Sequence, residues 1–148
     1  MAPQIRPAHL ADLPCILQII DAAYAPYIVR MGQKPGPMLD DYAALIRSNT
    51  IEVLDDDGAC GILVLLPQKD AMLLDNVAIA PDAQGKGYGK QLMCHAENAA
   101  RDAGFDRIRL YTNEVMVENL AIYARLGYHE THRVTEKGLN RVYMEKPL

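Results

Sequence analysis

A glycine-rich stretch, PDAQGKGYGKQLMCHAENAA, carries the strongest chemical signal in the sequence. Gly85, Gly87 and Gly89 stand at alternate positions and lead directly into alanine-rich, helix-forming sequence. The first amides of a helix lack partners and carry partial positive charge, so a helix start attracts an anion. Bare glycine backbone lets phosphate oxygens approach these amides, and Lys86 and Lys90 add positive charge. The stretch therefore predicts a phosphate-binding loop, and a simple tight turn between a strand and a helix is the alternative.

Two common phosphate loops do not fit the spacing. A Walker A loop needs a glycine, four further residues and then Gly-Lys-Ser/Thr, but Gln84 occupies the glycine position and Gln91 the hydroxyl position. A dinucleotide fingerprint needs G-x-G-x-x-G, and here the third glycine comes one residue early. Both alternatives fail on spacing.

Hydrophobic periodicity predicts the elements that precede this loop. The pattern favours a helix over residues 11–24, an ordered loop over residues 25–37 and a second helix in MLDDYAALIRS. Three apolar runs, IEVLD, CGILVLLPQ and LLDNVAIA, then predict consecutive antiparallel strands. Asp57-Gly58 predicts a tight hairpin turn between the first two.

The sequence after the loop predicts two more helices and three more strands. The first helix ends at Gly104, and a short helix over residues 117–126 ends at Gly127. RIRLYT is a strand between them, and YHETHRVTE and NRVYMEK form a final strand pair. This order of elements predicts an α/β (α+β layered) domain with a mixed sheet.

Length, charge and cysteine usage limit the classes of function. A chain of 148 residues that is 50% apolar is the size of one domain, residues 1–148. The formal charge of −4 argues against nucleic acid as a partner, and the polar N-terminus and short apolar runs argue against a membrane. We therefore expect a cytoplasmic protein. Cys15, Cys60 and Cys94 predict buried, reduced thiols rather than disulfides or a metal site, so no metal is expected.

Three stretches together resemble the GCN5-related N-acetyltransferase (GNAT) family. Gln84-Gly85-Lys86-Gly87-Tyr88-Gly89 matches the family's pyrophosphate loop, Q/R-x-x-G-x-G/A, directly after a strand. ENLAIYARLGY resembles the family's late helix, with Asn119, Tyr123 and Gly127 at matching positions. IRPAHLADLPCILQI resembles its first strand and helix. The resemblance covers nearly the whole chain and implies a mixed, mostly antiparallel central sheet flanked by about four helices.

The family resemblance implies acetyl-coenzyme A as cosubstrate. The amides of the loop would hold the pyrophosphate, while the strand around Val77–Ile79 and Asn119 would contact the pantetheine arm. The implied coenzyme-binding residues are Val77, Ala78, Ile79, Gln84, Gly85, Lys86, Gly87, Tyr88, Gly89, Lys90, Asn119 and Tyr123.

The same resemblance implies the catalytic groups for acetyl transfer to an amine. Tyr123 occupies the position whose phenol protonates the departing thiolate, and a core-packing role is its alternative. Asp75 aligns where many relatives carry a glutamate base, although aspartate is one methylene shorter, and ordered water could take the amine's proton instead. A backbone amide near Val77–Ile79 would stabilise the oxyanion where two central strands separate.

The acceptor amine, a small molecule or a peptide, is expected beside the first two helices and the loop after RIRLYT. The predicted acceptor-binding residues are Tyr24, Tyr27, Asp41, Tyr42 and Asn113. The tyrosines would form flat walls and carboxylates would attract a cation, while Arg30 and Lys34 could equally bind a carboxylate. A role for Asp41 at the start of the second helix is the alternative.

Two other functions and one assembly state stay open at this stage. A non-catalytic acyl-coenzyme A sensor would keep the loop without turnover. A nucleotide-binding module would bind ATP or NAD and not coenzyme A. A homodimer is compatible with the sequence.

Overall fold

The computed structural model describes residues 2–148. Across these residues seven strands form one sheet: β1 (Gln4–Pro7), β2 (Ile51–Asp55), β3 (Ala59–Pro67), β4 (Met72–Ile79), β5 (Arg107–Asn113), β6 (His129–Glu136) and β7 (Leu139–Pro147). Within the same part of the chain five α-helices flank the sheet: α1 (Leu13–Tyr24), α2 (Pro26–Met31), α3 (Tyr42–Arg47), α4 (Tyr88–Asp102) and α5 (Val117–Arg125). The predicted mixed α/β class is confirmed.

The sheet is mostly antiparallel, with the strand order β1-β2-β3-β4-β5-β7-β6. β2 and β3 form the predicted hairpin, and both turn residues, Asp57 and Gly58, have positive φ. β4 and β5 are parallel, which requires the crossover that α4 supplies. The phosphate loop, residues Gln84–Lys90, therefore lies where the chain leaves β4 to begin this crossover.

β4 and β5 separate halfway along their length. Their pairing runs from Met72 opposite Ile108 only as far as Leu74 opposite Leu110. Beyond that point β4 continues to Ile79 alongside β3, and β5 continues to Asn113 alongside β7. The predicted gap between the two central strands is therefore present, and the edge of β4 that faces it has no strand beside it.

Asp75 is a bulge residue at the point of separation. On β3, Leu65 lies opposite Leu74 and Val64 lies opposite Asn76, so Asp75 is the extra residue of β4. A bulge bends its strand and redirects a side chain. The bulge therefore marks the start of the gap, and the side chain of Asp75 places a carboxylate there.

Two apolar clusters hold the helices on opposite faces of the sheet. Val53 and Leu54 are neighbours in β2 and belong to different clusters, as the two-residue period of a strand requires. The cluster on the α1 and α3 face contains Ile16, Ile19, Ile20, Tyr42, Ile46, Ile51, Val53, Ile62, Val64 and Ala78. The α4 face is centred on Leu54, Leu63, Leu74, Leu92, Ala96, Ala100, Ile108, Leu110 and Val142. The two clusters therefore hold α1 on one face of the sheet and α4 on the opposite face.

The structure corrects two predictions about the N-terminal half. Residues 25–37 are not a loop throughout, because Pro26 stands at the first helical position of α2, where its missing N–H costs nothing. The second helix is also shorter than MLDDYAALIRS, since Gly36–Leu39 form a 3-10 turn and α3 begins at Tyr42.

The predicted burial of the cysteines is wrong for two of the three. Cys15 and Cys94 are exposed and Cys60 is half-buried, although all three are free thiols. Cys15 directly precedes Ile16, which is on the buried stripe of α1, and adjacent helix residues point in different directions.

Candidate active site

The phosphate loop has the geometry of an anion site. Gly85 and Gly87 both have a φ of +82°, a left-handed conformation that side chains disfavour. Gly87 also caps the N-terminus of α4. No amide from Gly85 to Lys90 donates a hydrogen bond to another group of the chain within residues 2–148. Consecutive unpaired amides at the positive end of a 15-residue helix can hold a pyrophosphate group.

The side chains of the loop divide into outward and inward groups. Gln84, Lys86 and Lys90 are exposed and free to approach a ligand. Tyr88 is buried and its phenol donates a hydrogen bond to Asp56, so only its backbone faces the expected anion. Gly89 lacks the unusual φ of the other two glycines, so its backbone alone does not require glycine.

A groove of about 480 Å³ extends from this loop. Its walls come from α1, α2, the exposed edge of β4, the start of α4 and one side of α5. The lining residues are Ala23, Tyr24, Tyr27, Val77, Ala78, Ile79, Gln84, Gly89, Lys90, Met93, Asn119, Ile122, Tyr123 and Leu126. The structure thus brings the predicted strand segment Val77–Ile79, the loop, Asn119 and Tyr123 together in one concavity.

A second, narrower cavity of about 50 Å³ opens between β4 and β5. This cavity is the pocket. Its floor is formed by Leu74–Val77 of β4 and Leu110–Asn113 of β5, and Pro35–Pro37 form part of its wall. The other lining residues are Tyr24, Met31, Met116, Asn119, Tyr123, Leu139 and Arg141.

The groove and the pocket share four lining residues: Tyr24, Val77, Asn119 and Tyr123. Tyr24 donates hydrogen bonds to Asn76 Oδ1 at 2.5 Å and, more weakly, to the Val77 carbonyl at 3.4 Å. Asn119 donates its amide to the sulfur of Met116 at 3.7 Å. A ligand in the groove and a ligand in the pocket would therefore meet beside Tyr123.

Tyr123 is suited to donate a proton. Its ring packs edge-on against Tyr128, with ring centroids 6.0 Å apart, which fixes the direction of the phenol. Burial raises the pKa of Tyr123 to about 12, and the neighbouring Tyr27 adds to the rise. The phenol makes no hydrogen bond within residues 2–148, so its proton is available to a ligand.

Asp75 is suited to accept a proton. Its carboxylate lines the pocket and receives a hydrogen bond of 3.0 Å from the phenol of Tyr111. Burial raises the pKa of Asp75, while the Tyr111 hydrogen bond and the charge of Arg141 oppose that rise. A carboxylate with a raised pKa is a stronger base than an exposed aspartate.

The predicted acceptor residues separate into three groups. Tyr24 and Asn113 line the pocket, and the Asn113 side chain accepts a hydrogen bond from the Val115 amide. Tyr27 lines only the groove, with the guanidinium of Arg30 5.2 Å above its ring. It therefore lies on the groove side of the junction and not in the pocket.

Tyr42 and Asp41 lie outside both cavities, contrary to the expectation for acceptor residues. Tyr42 is buried among core residues, where it accepts from the Asn76 amide at 2.9 Å and donates to the Pro37 carbonyl. Asp41 is the N-cap of α3 and accepts from the Ala44 amide at 3.1 Å. The geometry of Asp41 supports the alternative of a role at the helix start.

Two pocket residues, Tyr111 and Arg141, were not foreseen from the sequence. Both lie on strands and reach the pocket because β5 and β7 pair in register, with Tyr111 opposite Tyr143 and Asn113 opposite Arg141. Arg141 lies between Leu139 and Val142, which are both buried, but β7 also contains Asn140, Glu145 and Lys146, so the sequence did not single Arg141 out.

A family model described as an acetyltransferase (GNAT) domain matches residues 47–130 of the chain. The chain belongs to the GNAT family. This match begins before β2 and ends within β6, so it includes the phosphate loop, Asp75 and Tyr123.

Individual relatives agree with this family assignment. The uncharacterized N-acetyltransferase YvbK of Bacillus subtilis is 29% identical over 92 residues, which are 62% of this chain and 58% of YvbK. The uncharacterized N-acetyltransferase YjgM of Escherichia coli is 28% identical over 137 residues, 86% of this chain and 82% of YjgM. Some relatives are much longer, and the chain matches 23% of an amino-acid acetyltransferase of Neisseria meningitidis.

Solved structures share the fold over the full chain. The PaiA N-acetyltransferase of Thermoplasma acidophilum, solved with coenzyme A, has a TM-score of 0.78 at 18% identity, and the similarity covers 100% of both chains. Among residues 2–148 no helix is long and apolar enough to cross a membrane. No group of three or more metal-ligating side chains is gathered in that part of the chain.

Proposed function

We propose that this GNAT protein is an N-acetyltransferase that moves the acetyl group of acetyl-coenzyme A directly to a primary amine in a ternary complex. One observation carries the proposal: the groove that begins at unpaired helix amides meets the pocket at Tyr123, and Asp75 lines that pocket. This arrangement supports one site for the coenzyme and another for the acceptor.

The coenzyme would lie along the groove. The amides of Gly85–Lys90 would hold the pyrophosphate, with Gln84 beside them, and Lys86 or Lys90 would balance its charge. The exposed edge of β4 at Val77–Ile79 would pair with the amides of the pantetheine arm, and Asn119 would contact the same arm. The presence of coenzyme A in the PaiA structure supports this choice of ligand.

The residues around the junction can assist each step of the transfer. Asp75 would accept a proton from the ammonium group of the acceptor, directly or through water, which leaves a neutral amine. A C–N bond then forms to the acetyl carbon as the C–S bond breaks. A backbone amide near Val77–Ile79 would stabilise the charge on the acetyl oxygen, and Tyr123 would protonate the departing thiolate. The nitrogen would release its second proton to water, and water would return a proton to Tyr123.

The test is acetyl-coenzyme A binding followed by thiol release over a panel of amines. We expect acetyl-coenzyme A to raise the melting temperature far more than adenosine does, and at least one amine to release free thiol. Binding without turnover on any amine would favour an acyl-coenzyme A sensor. Affinity for ATP or NAD with none for coenzyme A would contradict the proposal.

Three finer features belong to the same proposal. We take residues 1–148 as a single acetyltransferase domain that acts in the cytoplasm, and the three free cysteines support a reducing compartment. A homodimer is supported by the exposed strand β6, which forms one edge of the sheet. Sedimentation of the purified protein would test the dimer.

A further inference from the structure

Arg141 places a positive charge in the wall of the pocket. Its side chain is only 18% exposed, and its guanidinium lies 4.6 Å from the ring centroid of Tyr111. One nitrogen, Nη1, donates to Glu136 at 2.9 Å. The cation is thus held in position by one ion pair and one aromatic face.

The remaining donors of Arg141 are not used by the protein. A guanidinium has five N–H donors, and across residues 2–148 only Nη1 of Arg141 makes a hydrogen bond. None of its nitrogens is a buried atom without a partner, so the unused donors are accessible. A Cβ at Gly36 would lie 3.5 Å from Nη2, which shows that Nη2 faces the Pro35–Pro37 wall of the pocket.

Tyr111 links this cation to Asp75. The phenol of Tyr111 donates to Asp75 Oδ1 at 3.0 Å, and the face of the same ring carries Arg141. Of the residues lining the pocket within the described chain, Asp75 is the only acidic residue and Arg141 the only positively charged one. The pocket therefore offers one negative and one positive group, each in contact with Tyr111.

From this pairing we propose that the acceptor carries a carboxylate as well as its amine, as a small amino acid does. The inference rests on the proposed N-acetyltransferase function. The ammonium group faces Asp75 beside Tyr123, and the carboxylate binds the free side of the Arg141 guanidinium, whose planar fork matches two carboxylate oxygens.

The surrounding charges favour a carboxylate over a phosphate. Glu136 already pairs with Nη1 of Arg141 at 2.9 Å, and Asp75 accepts from the phenol of the Tyr111 ring on which the guanidinium lies. Two acids around a single guanidinium would repel a doubly charged group more strongly than a singly charged one.

The test compares matched acceptors in a steady-state assay. Small α-, β- and γ-amino acids are each compared with their carboxamides, in wild-type protein and in Arg141→Gln. We expect the wild type to prefer the free acid by about 10- to 100-fold in kcat/KM, as a charge-assisted hydrogen bond provides. Arg141→Gln should bring the ratio of kcat/KM for the acid to kcat/KM for the carboxamide down to about 1.

Two further variants separate recognition from a structural role. Arg141→Lys keeps the charge but loses the fork, so it should restore part of the preference. Arg133→Gln removes an exposed arginine of the neighbouring strand β6, paired with Glu130 outside the pocket, and should keep the full preference. An equal loss on acids and carboxamides in Arg141→Gln would show a structural role and overturn the proposal.

A binding measurement makes the inference independent of turnover. Calorimetry on coenzyme A-loaded protein, with the same acids, carboxamides and an aminoalkyl phosphonate, should show Arg141-dependent selectivity for the acid. Selective binding without acetyl transfer would leave the inference standing and remove the proposed function. Acetyl transfer with no acid preference, or tighter binding of the phosphonate, would overturn the inference and leave the proposed function standing.

Discussion

The phosphate loop and the pocket contact the same groove but draw on the sequence in different ways. The loop presents the amides of consecutive residues, Gly85–Lys90, whose conformation depends on glycines at fixed spacing. The pocket combines Asp75 of β4, Tyr111 of β5 and Arg141 of β7, which are far apart in the chain. Local backbone geometry determines the first, and strand pairing determines the second.

This difference predicts where substitutions will act. A change in the loop should alter coenzyme affinity and leave acceptor selectivity unchanged, because backbone amides supply the binding groups. A change in the pocket should alter acceptor use or chemistry and leave coenzyme affinity nearly unchanged. The junction residue Tyr123 belongs to both cavities and should affect the chemical step.

The largest effect is expected for Gly87→Asp. The φ of +82° at Gly87 strains any side chain, and the added carboxylate repels a pyrophosphate, so acetyl-coenzyme A affinity should fall by about 100- to 1,000-fold. Calorimetric titration measures the loss. Gly104→Asp is the matched control, since Gly104 has a φ of +89° beyond the other end of α4 and outside the groove. Equal affinity in Gly87→Asp and wild type would contradict the assignment of the loop.

Tyr123→Phe should lower kcat by about 100-fold with little change in coenzyme affinity, because it removes a proton donor and keeps the ring. Steady-state thiol release gives both values. Tyr128→Phe is the control: Tyr128 packs against Tyr123 but lines neither cavity, and its phenol donates to Glu97. Wild-type turnover in Tyr123→Phe would remove the phenol from the mechanism.

Asp75→Asn should reduce kcat/KM by about 30-fold, less than a fully effective general base supplies, since water can take part of the role. Coenzyme affinity should not change. Asp75→Glu, which restores a carboxylate, should recover part of the activity. An Asn variant with wild-type kcat/KM across the acid range would exclude Asp75 as the base.

The same substitution should raise stability at neutral pH. Burial raises the pKa of Asp75 in the folded state above its ordinary value of 3.8, so the ionised form is disfavoured by folding. The contribution of Asp75 to the free energy of unfolding of the wild type therefore falls as the pH rises from 3.8 through the raised pKa. The melting-temperature advantage of Asp75→Asn should therefore be present at pH 7 and disappear below about pH 4. An advantage that persists at low pH would contradict the shift.

The smallest effect is expected for Asp41→Ala, which tests whether the acceptor site extends to α3. Loss of this N-cap should lower stability by about 1 kcal/mol, while acceptor KM stays unchanged. Asp41→Asn retains a capping oxygen and should keep wild-type stability. A raised acceptor KM without loss of stability would return Asp41 to the acceptor site.

The sequence was informative where a function depends on neighbouring residues. The three glycines, the helix after them and the pattern of Asn119 and Tyr123 are each contained in short stretches, and the predictions of the loop and of Tyr123 rested on them. The bulge at Asp75 was not visible, because it is a mismatch in register between two strands. Arg141 was missed for the same reason, since pairing between β5 and β7 brings it to Tyr111.

The segment 24–42 shows the other limit of the sequence pattern. Three tyrosines there were predicted to form flat walls for the acceptor, but Tyr24 lies at the junction, Tyr27 lines the groove and Tyr42 is buried in the core. The three tyrosines lie in three different helices, α1, α2 and α3, so their side chains do not share one face.

The central claim is that the groove delivers the coenzyme's sulfur to Tyr123, where the pocket opens. A crystal structure of the protein with coenzyme A tests it most directly. We expect the pyrophosphate on the amides of Gly85–Lys90 and the sulfur within about 3.5 Å of the Tyr123 oxygen. A pyrophosphate bound elsewhere, or a sulfur that lies away from the junction of groove and pocket, would contradict the account.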